Sequence, residues 1–427
     1  MTVLKRTKTM KTIKILHSEY NGTIDAIPSK SDAHRAIICA LLSHSQCRIS
    51  PIIMSDDIRA TIDAAKALGA ECSIDGNALT VDSSKELPNK AVIDCMESGS
   101  TLRFMLPVAA ALGIETEFHG RGRLPMRPVG EYVKIFSDHG ADMSADHLPI
   151  TVSGKLTAGE YSISGNVSSQ YITGLLMALC SLGEESKVHI TTALESKGYV
   201  DMTLSTLKKF GADITDLGRC YVVRPSKLRC DEYRVEGDWS QASYFLAAGA
   251  VNGCVSVGGL SMSSLQADRR FFGILKQFGS DVFSKDGVVT ARRSELFGSE
   301  IDASQCPDLV PSVAVLAAFA KGDSVIYNAS RLRLKESDRI RSVCDAIEAL
   351  GGEIVEYPDG MKIKSVPLKG GNVDCCNDHR IAMAFSVAAG ALENGALING
   401  YECINKSYPE FYEDYEKIGG KTDGSYR

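Results

Sequence analysis

Two patterns of apolar and polar residues recur along the chain. The first is an amphipathic helical stretch that stops at glycine and passes into a short alternating strand. It reads KALGAECSI around Gly69, SDHGADMSA around Gly140, KKFGADITD around Gly211, KQFGSDVFS around Gly279, EALGGEIVE around Gly351 and EKIGGKT around Gly419. These glycines lie 71, 71, 68, 72 and 68 residues apart. Self-similarity at so even a period predicts six structural units. Glycine just past a helix takes the left-handed conformation that closes the last turn, which explains why each copy ends there.

The second pattern comes once per unit: a polar cluster, then a run that is apolar on every face. The copies are SKSDAHRAIICALL from Ser29, SGSTLRFMLPVAAALG from Ser98, SSQYITGLLMALCSLG from Ser168, GDWSQASYFLAAGAVNG from Gly237, PDLVPSVAVLAAFAKG from Pro307 and NDHRIAMAFSVAAGALENG from Asn377. A helix hydrophobic all round has to be buried, whereas the helices ahead of the glycines carry Lys and Glu on one side. Strand patterns at Val81, Ile150 to Val152, Val188 to Ile190, Tyr221 to Val223, Val255 to Val257 and Val325 to Tyr327 separate them. The expected fold is α/β: two similar domains of three units each, with buried helices inside and sheets outside.

Composition adds limits. The chain has 427 residues, 44% of them hydrophobic, and 47 Lys and Arg against 53 Asp and Glu give a net charge of −6. That balance lacks the basic character of a nucleic-acid binder, so any anion must be held by local groups. No apolar run approaches the roughly 20 residues of a membrane span. The 13 cysteines form no paired zinc spacing, and a reducing compartment, the cytoplasm, fits best. The basic first 14 residues are followed by no apolar stretch, so no secretory signal is expected. A frayed tail is the reading there, with Met10 as an alternative start.

The polar clusters fall at the N-termini of the buried helices, where unpaired N–H groups and the helix dipole favour an anion. Nine cations sit at unit-equivalent places beside Ser, Thr, Gly and Asn: Lys30, Arg35, Arg103, Arg123, Arg127, Lys335, Arg339, Arg380 and Lys406. If the helices of each half run parallel, these cations converge on one cleft. A small ligand carrying both phosphate and carboxylate is expected there, because arginine grips both in bidentate fashion.

In this order, the phrases SKSDAHRA, ESGSTLR, GRLPMRP, NVSSQYITGLLMA, SKGYVDMT, VEGDWSQASYFLAA, PDLVPSVAV, LRLKESDRI, NDHRIAMAF and NKSYPEFY resemble the 5-enolpyruvylshikimate-3-phosphate synthase family of enolpyruvyl transferases, over nearly the whole chain. The resemblance implies an inside-out α/β barrel in each domain, built from three βαβαββ units. It also implies two crossings of the chain, so that residues 1–28 and 236–427 form one domain and 29–235 the other, with the site in the cleft between them. The implied reaction moves the enolpyruvyl group of phosphoenolpyruvate onto the 5-hydroxyl of shikimate 3-phosphate through a tetrahedral intermediate, releasing phosphate, on the route to chorismate. A monomer acting on small anions is expected, with no cofactor, metal, nucleic acid or membrane partner.

Carried over by position, the shikimate 3-phosphate site corresponds to Lys30, Ser31, Arg35, Ser168, Ser169, Gln170, Ser196, Asp308 and Lys335. The phosphoenolpyruvate site corresponds to Lys30, Gly99, Arg123, Gln170, Arg339, Arg380 and Lys406. Gly99 would let backbone N–H groups approach an oxyanion; Arg127 is read as a supporting residue, and Arg380 has a rival reading as the partner of Asp378. For proton transfer, Asp308 and Glu336 are the carboxylate pair whose pKa values opposed environments could split, and Lys30 is a third candidate. Asp308 as a helix cap and Glu336 as a partner of Lys335 are the plain alternatives. The chain departs from the family pattern at Glu97, where Asn is common, at Gly198, where Pro is usual, at Arg331 and in the shortened PSKS loop; Glu97 and Arg331 are left out of the candidate set. Two other readings stand beside this one. A sister transferase acting on UDP-N-acetylglucosamine carries a Cys in the loop that here reads GRGRLPMRP, yet no Cys occurs between Cys95 and Cys180. A non-catalytic binder of phosphorylated metabolites would need the cations but neither Asp308 nor Glu336.

Overall fold

The computed structural model describes residues 10–424 and 426. The basic tail residues Lys5, Arg6 and Lys8 lie outside the described residues. Among the described residues there are six four-stranded sheets, all with one topology. In the second unit, Lys90–Asp94 runs parallel to Glu115–His119, which is antiparallel to Ile150–Gly154, itself paired antiparallel with Ala141–Met143. Gly99–Leu112 connects the first two strands and Glu131–Asp138 precedes the hairpin, giving the order βαβαββ. All six spacing glycines have positive φ, between 83° and 104°.

The helices divide as their patterns predict. Each of the six opening helices, Lys30–Leu42, Gly99–Leu112, Ser169–Leu179, Trp239–Asn252, Val310–Ala318 and His379–Gly390, is buried on nearly every face. The second helices bury one side only; Asp56–Ala67 hides Ile58, Ile62 and Ala65 and exposes Arg59, Asp63 and Lys66 to different degrees. Strands such as Glu115–His119 alternate exposed and buried residues, with the buried side packed on the helices. This is the inside-out α/β arrangement, in two domains. Close helix packing brings polar groups with it. Pro107 has no N–H for the Arg103 carbonyl one turn earlier, and Tyr132 donates to that carbonyl at 2.9 Å. A side chain at Gly174 would stand 2.4 Å from the same oxygen, so the bare backbone there lets the two helices meet.

Two buried clusters are separate. One runs from Ala33 to Val235, and the other joins Ile13–Ile24 to residues from Trp239 to Ile418. The N-terminal strands complete sheets of the later half: Tyr20–Asp25 pairs parallel with Gly253–Gly258, and Thr12–Leu16 pairs antiparallel with Ala396–Asn399. In return, Glu232–Arg234 pairs parallel with Gln46–Ser50 in the first unit. The two connecting segments run side by side, joined by Ser29 N–H to the Glu236 carbonyl and Asp238 N–H to the Ile27 carbonyl, each at 2.8 Å. Among the described residues no helix is long and apolar enough to cross a membrane.

Candidate active site

The opening helices bring their N-termini together where the halves meet. Ser29, Ser98, Ser168, Asp238 and Asp378 each cap one of them by accepting a backbone N–H. The helix Val310–Ala318 has no side-chain cap and is preceded by the tight turn Pro307–Leu309. The cavity at this junction is lined by Lys30, Ser31, Arg35, Gly99, Ser168, Ser169, Gln170, Ser196, Asp308, Lys335, Glu336 and Arg380, all anticipated from the sequence. Asp57, Ser100, Phe104, Arg127, Tyr199, Pro307, Arg331 and His379 complete the lining.

Three expected residues stand back from the wall. Arg123 is exposed, ahead of the turn Leu124–Met126. Lys406 lies behind the cavity, where Glu97 holds its ammonium at 2.7 Å and the Asn377 carbonyl at 2.7 Å. Arg339 is fully buried beneath the floor and grips three carboxylates: Asp308 at 2.9 Å, Glu336 at 2.6 Å and Asp378 at 2.9 Å. Asp378 is therefore Arg339's partner. Arg380 instead meets Asp308 at 3.2 Å and donates to Ser240 at 2.6 Å.

The carboxylates differ from their plain alternatives as well. Asp308 caps no helix; it accepts from Lys335 at 3.3 Å, Arg339 at 2.9 Å and Tyr199 at 3.2 Å, besides Arg380. Glu336 pairs with Arg339 and, at 3.6 Å, with Arg127 of the other half, and Lys335 turns to Asp308. Burial alone would push both acids up, but the cations outweigh it. Arg380, Lys335 and Arg339 hold Asp308 well below the usual carboxylate range, and Arg339 and Arg127 do the same for Glu336. The expected split between these two acids is thus not the arrangement present. Burial and the neighbouring Asp308 do raise the carboxyl of Asp268, to about 6.

The remaining groups are preset by neighbours. Lys30 forms an ion pair with Asp57 at 2.6 Å, and its backbone N–H reaches Asp238 at 3.1 Å. Gln170 is fixed by Arg103 on its oxygen at 3.1 Å and by Ser100 on its nitrogen side at 2.9 Å. Arg35 is tied to the Ser31 and Tyr199 carbonyls at 2.6 and 2.9 Å and to Thr203 at 2.9 Å, and burial lowers it to about 10. Gly99 serves the arginines: a side chain there would stand 2.7 Å from Arg127 Nη1 and 2.9 Å from Arg103 Nη1. Arg331, set aside on sequence grounds, donates to Ser196 at 3.2 Å and pairs with Glu195 at 2.5 Å, so it belongs to the wall. Glu97 points across the junction to Lys406 and Asn377. His379 is buried with both ring nitrogens unpartnered, and burial together with Lys30 and Arg380 keeps its pKa well below the ordinary value. Tyr199 and His379 lay within SKGYVDMT and NDHRIAMAF, phrases already singled out. Asp57 carried no signal beyond an acidic first turn.

A wall of Lys30, Arg35, Arg127, Arg331, Lys335 and Arg380, interleaved with hydroxyls and an amide, can hold a ligand or ligands rich in phosphate and carboxylate. Asp308 and Glu336, held below the usual carboxylate range by their cations, stand beside it. The chain matches the family model described as EPSP synthase (3-phosphoshikimate 1-carboxyvinyltransferase) over residues 16–415. It belongs to the EPSP synthase family. Among its relatives, the 3-phosphoshikimate 1-carboxyvinyltransferase of Clostridium novyi is 44% identical, over 97% of this chain and 99% of that protein. That of Clostridium acetobutylicum is 42% identical, over 96% and 98%. The EPSP synthase structure from Acinetobacter baumannii superposes with a TM-score of 0.81 at 22% identity, over 97% of this chain and all of that one. The enolpyruvyl transferase NikO from Streptomyces tendae does so with a TM-score of 0.79 at 17% identity, over 97% and 98%. The fold is thus that of the EPSP synthases.

Proposed function

We propose that this member of the family transfers the enolpyruvyl group of phosphoenolpyruvate to the 5-hydroxyl of shikimate 3-phosphate and releases inorganic phosphate. The observation that carries the reading is the pair of ionised acids, Asp308 and Glu336, enclosed by cations from both halves. Ser31, Ser168, Ser169, Gln170 and Ser196, with Lys30, Arg35 and Lys335, hold shikimate 3-phosphate. Arg127 and Arg380 with Lys30 and Gln170 hold phosphoenolpyruvate, and Lys406 and Arg123 join them when the ligand draws the halves closer. Asp308 takes the proton of the attacking hydroxyl. Lys30, an ammonium, is the donor in place for the methylene carbon; Glu336 has to gain a proton first, as an incoming anion competes for Arg127. Preset cations stabilise the charge that develops as phosphate departs, and most of the rate arises there.

The halves correspond to residues 1–28 with 236–427 and 29–235, a division supported by the two separate cores and the paired crossing segments. The protein works in the cytoplasm, a reading supported by thirteen cysteines that are all free, and it works as a monomer. Purified protein given both substrates should release phosphate, with UDP-N-acetylglucosamine run beside shikimate 3-phosphate as the competing acceptor. No release from shikimate 3-phosphate, in an assay where a known transferase is active, would end this assignment.

A further inference from the structure

Tyr199, on the helix Lys197–Lys209, places its hydroxyl between two carboxylates of the other half, 2.8 Å from Asp268 Oδ2 and 3.2 Å from Asp308 Oδ2. Gly198 makes the approach possible: a side chain there would stand 3.0 Å from Cα and Cβ of Ala267, the residue before Asp268. Asp268 is 3% exposed, and its Oδ1 has no hydrogen-bond partner.

A phenol carries one proton. With both acids ionised, it can satisfy one carboxylate well while its lone pairs face the other, and Asp268 Oδ1 is left as an unsolvated anionic oxygen. One further proton on Asp268 removes both faults. Its carboxyl then donates to the phenol oxygen, the phenol donates to Asp308, and Oδ1 becomes a neutral carbonyl. The proton does not belong on Asp308, which Lys335, Arg339 and Arg380 keep ionised.

We propose that Asp268 is a positioning residue for Asp308: through Tyr199 it orients the Asp308 carboxylate, and it takes up one proton from solvent as anionic substrate binds. This rests on the role assigned to Asp308 above. Around Asp268, burial and the neighbouring carboxylates of Asp308 and Asp238 favour the proton and push the carboxyl up to about 6, whereas Arg380 and the Tyr199 hydrogen bond work against it. The neighbouring Cys306 thiol is itself pushed up by burial and so stays neutral. A substrate anion engaging Arg380 offsets the one cation that works against protonation, so uptake follows binding.

The test compares wild type with Asp268→Asn, Asp268→Ala and Tyr199→Phe. Calorimetry of shikimate 3-phosphate binding near pH 7, in buffers of different ionisation heat, should show wild type taking up about one proton more than Asp268→Asn. Asp268→Ala and Tyr199→Phe should lower kcat by about tenfold or more with little change in KM. Asp268→Asn should lose less, since its amide donates to the phenol as the protonated carboxyl does, and its kcat should lose pH dependence. Equal proton uptake in wild type and Asp268→Asn, or one kcat–pH profile shared by all four proteins, overturns the proposal. Should Asp268→Ala not fold, by circular dichroism, the other two variants carry the same comparison. Should wild type neither bind nor turn over the substrates, the functional reading fails and a ligand-free readout decides this one. A difference titration between wild type and Asp268→Asn that finds the missing carboxyl at about 6 sustains it, and one that finds the ordinary value near 4 overturns it.

Discussion

At the scale of single residues, what each group can do depends on its partner's charge. Asp308 and Glu336 are both held ionised by arginine, so Asp308→Asn or Glu336→Gln deletes an acceptor and leaves its cations uncompensated. Each should lower kcat by about 10² to 10⁴ if it moves a proton, read as phosphate release; an unchanged rate would reduce that acid to a structural part. Glu97 acts in the opposite direction, since it occupies the Lys406 ammonium at 2.7 Å. Glu97→Gln should lower KM for phosphoenolpyruvate by about two- to fivefold, the worth of a partly exposed ion pair, and a raised KM would mean that Glu97 presents Lys406 rather than detaining it. Asp268 yields a dependence on pH. Its folded pKa, about 6, exceeds the ordinary 3.8, so the folded protein binds that proton more tightly than the unfolded chain. The resulting penalty is absent below about pH 4, grows as pH rises towards 6 and is constant above, reaching up to about 3 kcal/mol. Asp268→Asn should therefore raise Tm at pH 8 and leave it nearly unchanged at pH 4; equal effects at both would show that the carboxyl is not raised. Partner choice was the part hidden from the sequence. Glu97, Asn377 and Lys406 are up to 309 residues apart, and no local pattern announces a pair that only folding brings together.

At the scale of elements, the sequence was far more informative, because helix burial and helix ending are local properties. A run apolar on every face and a glycine at positive φ each follow from composition within one or two turns. All twelve of the paired helix types therefore stood where the repeat put them. Strand exchange could not be read that way. Tyr20–Asp25 finds Gly253–Gly258 across more than two hundred residues, and its alternation would suit any parallel edge; only the family resemblance suggested the crossing. The site likewise needed element contacts: the space that a side chain at Gly99 would take is held by Arg103, one turn further along the same helix, and by Arg127 from a neighbouring turn. Gly99→Ala should displace these flexible ends and leave the helix intact. The expected result is a KM for phosphoenolpyruvate raised by about tenfold or more, the loss of one charge-assisted hydrogen bond, with Tm within a few degrees of wild type. A large fall in Tm with unchanged KM would show that the space serves packing alone.

For the whole molecule, two cores are joined by two adjacent strands and by polar links across the cleft. The links include Arg127 to Glu336 at 3.6 Å, Glu97 to Lys406 at 2.7 Å, Arg331 to Glu195 at 2.5 Å and Tyr199 to Asp268 and Asp308. The two cores form separate clusters, and ion pairs and hydrogen bonds cross between the halves, so charge contributes to how firmly the halves meet. Several of these groups are also those that substrate anions would engage. Ligands would thus exchange links between protein groups for links through phosphate and carboxylate, whose charge is greater and whose arms reach both halves. Salt weakens partly exposed ion pairs and affects enclosed ones much less. X-ray scattering should then show a radius of gyration that grows with added salt in the free protein. With shikimate 3-phosphate and an unreactive phosphoenolpyruvate analogue both bound, it should be smaller and nearly independent of salt. Either ligand alone should give intermediate behaviour, because neither fills both groups of cations. Identical curves with and without the pair at every salt concentration would mean that the halves are already fixed, and that Lys406 and Arg123 never leave the positions in which the free protein holds them.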